Sequence, residues 1–176
     1  MFFWVVQRIT RPGCGTPRGG TFFTAKKIRQ HALSVAGGIR HAMSKDPQSE
    51  IFRTMPGDGS AEWEETFYGC LSEHGNWDME KFWIFHMALT EIGKEVQEDA
   101  VVDRKLVYAL LYIQQHVLTH VTSHYNSQVD WKFEAIDDEQ LFEFVERFEL
   151  AILGAISGEV SAESSFDLVN PLLADA

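Results

Sequence analysis

Acidic side chains are missing from the opening of this chain. Residues 1–42 contain none, against seven basic ones (Arg8, Arg11, Arg18, Lys26, Lys27, Arg29 and Arg40), and all 26 Asp and Glu residues lie beyond Met43 with the other eight basic residues. The two parts therefore carry +7 and −18. Uncompensated charge of that size works against a compact state through self-repulsion. The break marks residues 1–42 as a basic leader outside the folded unit, and residues 43–176 as an acidic domain suited to a basic partner. Other absences narrow the function. There are only two cysteines, Cys14 and Cys70, on opposite sides of the charge break and without ligand spacing. Neither a disulfide framework nor a cysteine zinc site is indicated, and a reducing cytosol is the default. No apolar run approaches the roughly eighteen residues of a membrane-spanning helix. The Met1-Phe2-Phe3-Trp4-Val5-Val6 run is too short for a signal-peptide core and no small-residue cleavage site directly follows it. Gly13, Gly15, Gly19 and Gly20 are interrupted by prolines and follow no strand, so they do not make a phosphate loop. Serine and cysteine nucleophiles lack any supporting signature.

Three readings of the leader are open: sequence upstream of a true start at Met43, an Arg-rich transit peptide with an amphipathic helix near residues 24–42, or a basic arm that binds nucleic acid. The stretch from Arg11 to Gly20 is too densely punctuated by Gly and Pro to fold. The leader is expected to be disordered or not native.

Beyond it, residues 46–61 read as loop, from Pro47, Pro56 and the Gly57-Asp58-Gly59 turn signal. From Glu62 the apolar residues Trp63, Phe67, Cys70 and Leu71 recur with helical spacing. His74-Gly75-Asn76 ends that helix, because glycine readily takes the left-handed conformation past a helix terminus. Asp78 can cap a second helix running to about residue 97, with Phe82, Phe85, Leu89, Ile92 and Val96 inward. The third, residues 102–125, carries one stripe of Leu106, Leu110, Ile113, Val117 and Val121, widened by Val107, Leu111 and Leu118. Apolar over so much of its surface, it is expected to sit centrally. Trp131-Lys132-Phe133 is a short extended piece or an ordered loop. A fourth long helix begins at Asp137, with Gln140 completing a capping-box-like signal. Its stripe is Leu141, Phe144, Val145, Phe148, Ile152 and Ile156, and Gly158 closes it. Residues 159–176 are expected to pack along the bundle. No internal repeat and no useful strand alternation occur. The predicted fold is all-α: a single four- to five-helix bundle with a flexible basic N-terminal leader.

Among chemistry-bearing patterns, His116, His120 and His124 stand four apart on the third helix. Two such histidines can share a metal ion. Three span about 12 Å of helix axis at ~1.5 Å per residue, too far for bonds of about 2 Å. A site would need carboxylates or His86 from another helix, and no Glu follows His116 as a metalloprotease requires. Packing and local hydrogen bonding is the simpler reading, so no metal, cofactor or catalytic residue is assigned. Two acidic stripes form the alternative focus. Glu91, Glu95, Glu98 and Asp99 line one helix face; Asp137, Asp138, Glu139, Glu143 and Glu146 gather at the start of the fourth long helix, with Lys94 and Arg147 relieving part of the repulsion. Either stripe alone reads as a solvated face. Together with a net −18, they make candidate contacts for a basic protein, steering its approach and rejecting wrong partners. Nucleic acid would add negative charge to a negative surface. Trp63, Trp77, Trp83 and Trp131 are core candidates first, though Trp also anchors interfaces.

Several segments then resemble a known family. They are Ile51-Phe52-Arg53-Thr54-Met55-Pro56-Gly57-Asp58, Phe67-Tyr68-Gly69-Cys70-Leu71-Ser72-Glu73-His74-Gly75-Asn76-Trp77-Asp78 with Phe82-Trp83, and Ser123-His124-Tyr125-Asn126. The helix Asp138-Glu139-Gln140-Leu141-Phe142-Glu143-Phe144-Val145-Glu146-Arg147-Phe148 and the ending Asn170-Pro171-Leu172-Leu173 complete the set. Together they are similar to bacterial immunity proteins that accompany polymorphic toxins, including those of contact-dependent inhibition systems. The similarity is discontinuous over about residues 50–173, no single motif in it is chemically diagnostic, and residues 1–42 have no counterpart in it. The resemblance implies a cytoplasmic, non-enzymatic protein that binds a cognate toxin domain and blocks it. Such toxins are often nucleases, whose phosphate-binding surfaces are basic. Two other classes stay open at this point: a metal-dependent helical-bundle enzyme using the His116/His120/His124 helix with His86, and an organelle-targeted structural subunit with a cleaved presequence.

Overall fold

The computed structural model describes residues 46–57, 61–96, 101–133 and 136–173. Residues 1–42, and Glu98 and Asp99 of the first acidic stripe, lie outside the described residues. Within them the chain is all-α, with six α-helices, one 3-10 turn and no strand. They are α1 (Pro47–Thr54), α2 (Ala61–Glu64), α3 (Phe67–His74), α4 (Met79–Val96), α5 (Arg104–Tyr125) and α6 (Asp138–Ser157), followed by the 3-10 turn Glu163–Ser165.

Local chemistry places these boundaries. The side chains of Thr66, Asp103 and Asp137 cap α3, α5 and α6 by accepting the N–H groups of Gly69 (3.1 Å), Lys105 (2.9 Å) and Gln140 (2.8 Å). Asp78 accepts from Lys81 at 3.0 Å ahead of α4. Gly75 and Gly158 end α3 and α6 in the left-handed region, at φ 62° and 78°. Two expectations are corrected. The segment read as loop contains α1: Asp46 accepts from Gln48 N–H at 3.1 Å, Pro47 sits in the first turn, Glu50 follows and Arg53 is in the last turn. Proline there starts a helix rather than breaking one, because its missing N–H has no partner to lose in a first turn. The helix expected from Glu62 is split into α2 and α3 by Thr66, whose extended backbone and hydroxyl cap start a new helix.

The core is built from rings. Phe67 meets Trp77 at 5.1 Å and Phe82 at 5.4 Å, both edge-on, and Phe82 meets Phe144 at 4.8 Å, also edge-on. Each such pair adds roughly 0.5–1.5 kcal/mol to simple burial. The long pair α4 and α6 makes the most extensive helix contact, and α1 lies across α4 and α5. α5 is therefore not central as its wide stripe suggested. Leu106, Leu110, Ile113, Val117 and Val121 are buried, but Leu111 is 50 % exposed and Val107 and Leu118 are only half-buried.

Glycine sets the closest approach of α4 to α6. A Cβ on Gly93 would lie 2.6 Å from Val160 Cγ2 and 2.9 Å from the carbonyl oxygen of Gly154, so the two helices touch almost backbone to backbone. Gly→Ala in an unobstructed helix interior stabilises by up to about 1 kcal/mol. Gly93→Ala is expected to do the reverse, lowering stability by about 1–3 kcal/mol through overpacking. Urea denaturation of the variant checks the sign; a gain in stability would mean that the crossing is loose.

Candidate functional site

The histidines of the alternative metal-site reading go to separate structural tasks. His124 is buried at the end of α5: its Nδ1 accepts the Phe133 N–H at 3.0 Å, its Nε2 lies 3.0 Å from Asp138 Oδ1, and its backbone carbonyl accepts from Lys132 Nζ. It ties the stretch after α5, without helix or strand over residues 126–133, to the first turn of α6. His116 packs on Tyr112 (4.2 Å between centroids) and Tyr68 (5.9 Å), and His120 on Trp131 (5.5 Å). Burial, then the neighbouring His116, pushes the His120 pKa below its usual value. His86 is buried on α4 between the rings of Phe82 and Trp83. Among the described residues no three His, Cys, Asp or Glu side chains converge where they could hold a metal. The metal-enzyme alternative therefore has no ligand set among them.

Beside His86 lies a group whose setting the sequence did not disclose. Arg147, which by its spacing would relieve the acidic stripe of α6 from the helix surface, is instead 0 % exposed. Its guanidinium stacks 5.0 Å over Trp83 and 4.1 Å over Phe166. Its Nε donates to the Leu168 carbonyl at 2.7 Å, and its two terminal nitrogens grip both oxygens of Glu163. Glu163 also accepts the Asn170 N–H at 2.8 Å. Burial alone would raise the Glu163 pKa, but the hydrogen bonds from Arg147 and Asn170 and the charge of Arg147 outweigh it and hold the carboxyl below its usual range. One cation thus folds the segment after Gly158 back onto α6. Asn170 of the Asn170-Pro171-Leu172-Leu173 ending is fully buried there, with its Oδ1 accepting the Leu172 N–H at 2.9 Å.

That folded-back segment completes a groove along the N-terminal half of α6. Glu139, Glu143 and Glu146 line one side, Asp167 faces them from the tail, and Phe142 stands among them at 64 % exposure. The groove encloses about 500 Å³. Among the described residues none of these four carboxylates forms an ion pair. The other acidic candidates are spent elsewhere or stand apart. Asp137 is occupied as the α6 cap, Asp138 as the partner of His124, and Glu91 is 2.7 Å from Lys94. Glu95 is exposed near the end of α4, away from the groove.

Phe142 was missed in spite of a legible signal: it falls off the Leu141–Phe144–Phe148 stripe, on the charged face. Asp167 had no signal, because only the fold of the tail brings it there. The chain matches no family model, and no curated protein or solved structure is significantly similar to it.

Two outcomes follow from the Arg147 node. Removing one partner of a buried ion pair costs about 3–5 kcal/mol; with Glu163 partly open to water, Glu163→Ala is expected to cost about 2–3 kcal/mol. Limited proteolysis should then cut preferentially beyond Gly158, and unchanged protection would show that the pair does not hold the tail. The second concerns acid. Burial, then the nearby Arg147 charge, lowers the His86 pKa from 6.5 to about 4, with Glu163 opposing. The unfolded chain binds this proton more readily, so stability is complete above about pH 6.5 and declines as pH falls toward 4, by up to about 3 kcal/mol from this residue. Shifted the same way, His120 adds to the slope. His86→Leu should remove the His86 share, seen as a flatter curve of unfolding free energy against pH.

Proposed function

We propose that this protein is an immunity protein that binds a cognate toxin domain with a basic surface, working by occupation of that surface and not by catalysis. The observation that carries the reading is the groove on α6: an exposed aromatic ring set among four unpaired carboxylates. Phenylalanine exposed in this way has no role in the core. A ring of carboxylates around it matches a partner that presents Arg or Lys side chains beside an apolar contact, since a cation can lie over the ring face and meet a carboxylate at once. The residue segments that resemble polymorphic-toxin immunity proteins include this helix, from Asp138 to Phe148.

The physics of such a partner fits. A nuclease domain holds phosphates with a basic surface, and a row of carboxylates can take the place of the phosphate backbone there. Long-range attraction raises the association rate, which protects a cell against a toxin that acts catalytically. Affinity then rests on the desolvated anchor inside the acidic rim. The proposal puts this encounter in the cytoplasm; no helix among the described residues is long and apolar enough to cross a membrane.

Co-expression of the full chain with the C-terminal toxin domain encoded beside it tests the reading. Rescue of growth and a co-purified complex are the expected outcomes. The affinity should fall steeply as salt rises, because the attraction is screened. Phe142→Ala should weaken binding about 30-fold or more, as truncating an interface anchor by about 2 kcal/mol does. Replacing Glu139, Glu143 and Glu146 by Lys should abolish rescue while leaving the circular dichroism spectrum unchanged. Rescue that survives both sets of substitutions would move the interface off this groove, and toxicity without rescue or complex would remove the reading for that pair.

A further inference from the structure

The face opposite in character to the acidic groove is the outer surface of α5. All 26 acidic residues of the chain follow Met43, yet the 22 residues from Arg104 to Tyr125 include none. Tyr108 is 63 % and Leu111 50 % exposed, and the same row continues through exposed Gln115, Thr119 and Thr122. The hydroxyls of Thr119 and Thr122 donate back to the helix, to the carbonyls of Gln115 and Leu118 at 2.8 Å each, so they present methyl groups outward. Beside Tyr108, exposed Phe52 of α1 and Met55 border a largely apolar hollow of about 480 Å³ between α1 and α5. Arg104 and Lys105 at its rim form no ion pair among the described residues.

We propose that this face is where a second copy of the chain docks, with the two α5 helices antiparallel and crossing between Leu111 and Gln115. Charge selects that occupant. Two copies of a strongly acidic domain repel each other over most of their surfaces, and the acid-free helix is a face on which they can approach without opposing carboxylates. A basic toxin surface gains nothing from this helix, whose formally charged residues are Arg104 and Lys105 alone. The row from Arg104 to Thr122 is centred between Leu111 and Gln115, so an isologous pair brings Tyr108 of each copy near Thr119 of the other. The same register lays the two-residue basic start of each helix over the C-terminal turn of its partner. There the unpaired carbonyls and the negative end of the helix dipole favour cations. The acidic groove on α6 stays outside the pair, so a dimer carries two such grooves.

Light scattering of the full chain across roughly 10–500 µM, a range that covers weak helix-pair association, tests this directly. The expected mass rises toward twice the 20.0 kDa of one chain. Raising salt should strengthen the dimer by screening net repulsion, the reverse of its effect on a basic partner. Tyr108→Glu with Leu111→Glu, and separately Thr119→Glu, should each weaken the association at least tenfold with an unchanged helical spectrum. Both alter exposed positions that the core does not need. Glu143→Lys should leave it intact, which separates this surface from the groove. A constant monomer mass over the whole range overturns the proposal, as does a dimer indifferent to both α5 variants.

Discussion

A cation that reaches no water must be answered by the protein, and Arg147 is that constraint here. Its stem leaves the middle of α6 and its guanidinium lies between Trp83 of α4 and Phe166 of the tail, with hydrogen bonds left to satisfy. Glu163 and the Leu168 carbonyl satisfy them, and both come from the segment past Gly158. An uncompensated buried charge costs several kcal/mol, so the tail is held where the carboxylate must be. The rest follows from that placement. Asn170 closes over Glu163, and Val160 seats against Gly93 where α4 and α6 nearly touch. Asp167 comes to face the carboxylates of α6. The course of the tail and the lining of the groove both depend on this ion pair.

The molecule sorts its charge by face as well as along its length. Carboxylates of α6 stand unpaired around Phe142, while the exposed side of α5 has aromatic, aliphatic and hydroxyl groups and no acid. Surfaces of such different chemistry suit different partners: one a cationic surface at low ionic strength, the other a neutral apolar one. The separation matters because attraction to a basic toxin grows with net negative charge, and the same charge opposes contact between copies. Keeping acids off one helix is what makes the two proposed contacts compatible in one small domain.

Much of the fold was legible because its signals are local. Asp137, Asp78, Gly75 and Gly158 mark helix ends by hydrogen bonds and backbone geometry that need only neighbours in sequence, and all four act as the sequence indicated. The stripe Phe82–Phe85–Leu89–Ile92 is buried as its spacing required. Where local signals competed, the reading failed. Pro47 was weighed as a breaker although Asp46 before it and Glu50 after it make a helix start. Leu111 and Leu118 widened the apolar stripe of α5, yet hydrophobicity alone does not say whether a neighbour will cover it, and for Leu111 none does.

The candidate site shows the same division. Sequence by itself determined that the domain is helical, that its acids are segregated from its basic leader, and that Glu139, Glu143 and Glu146 share one helix face; each depends on composition or on the 3.6-residue period. Tertiary structure alone decided that Arg147 is the buried cation of that helix, that Asp138 and Asp137 serve His124 and a cap, that Asp167 joins the groove, and that His86, His116 and His120 form no three-ligand set. The reason is range. A period or a cap is set by residues within one or two helical turns, whereas the fate of a charge or an imidazole depends on what a segment sixteen or eighty residues away brings to it, as Glu163 does for Arg147 and Asn170 for Met87.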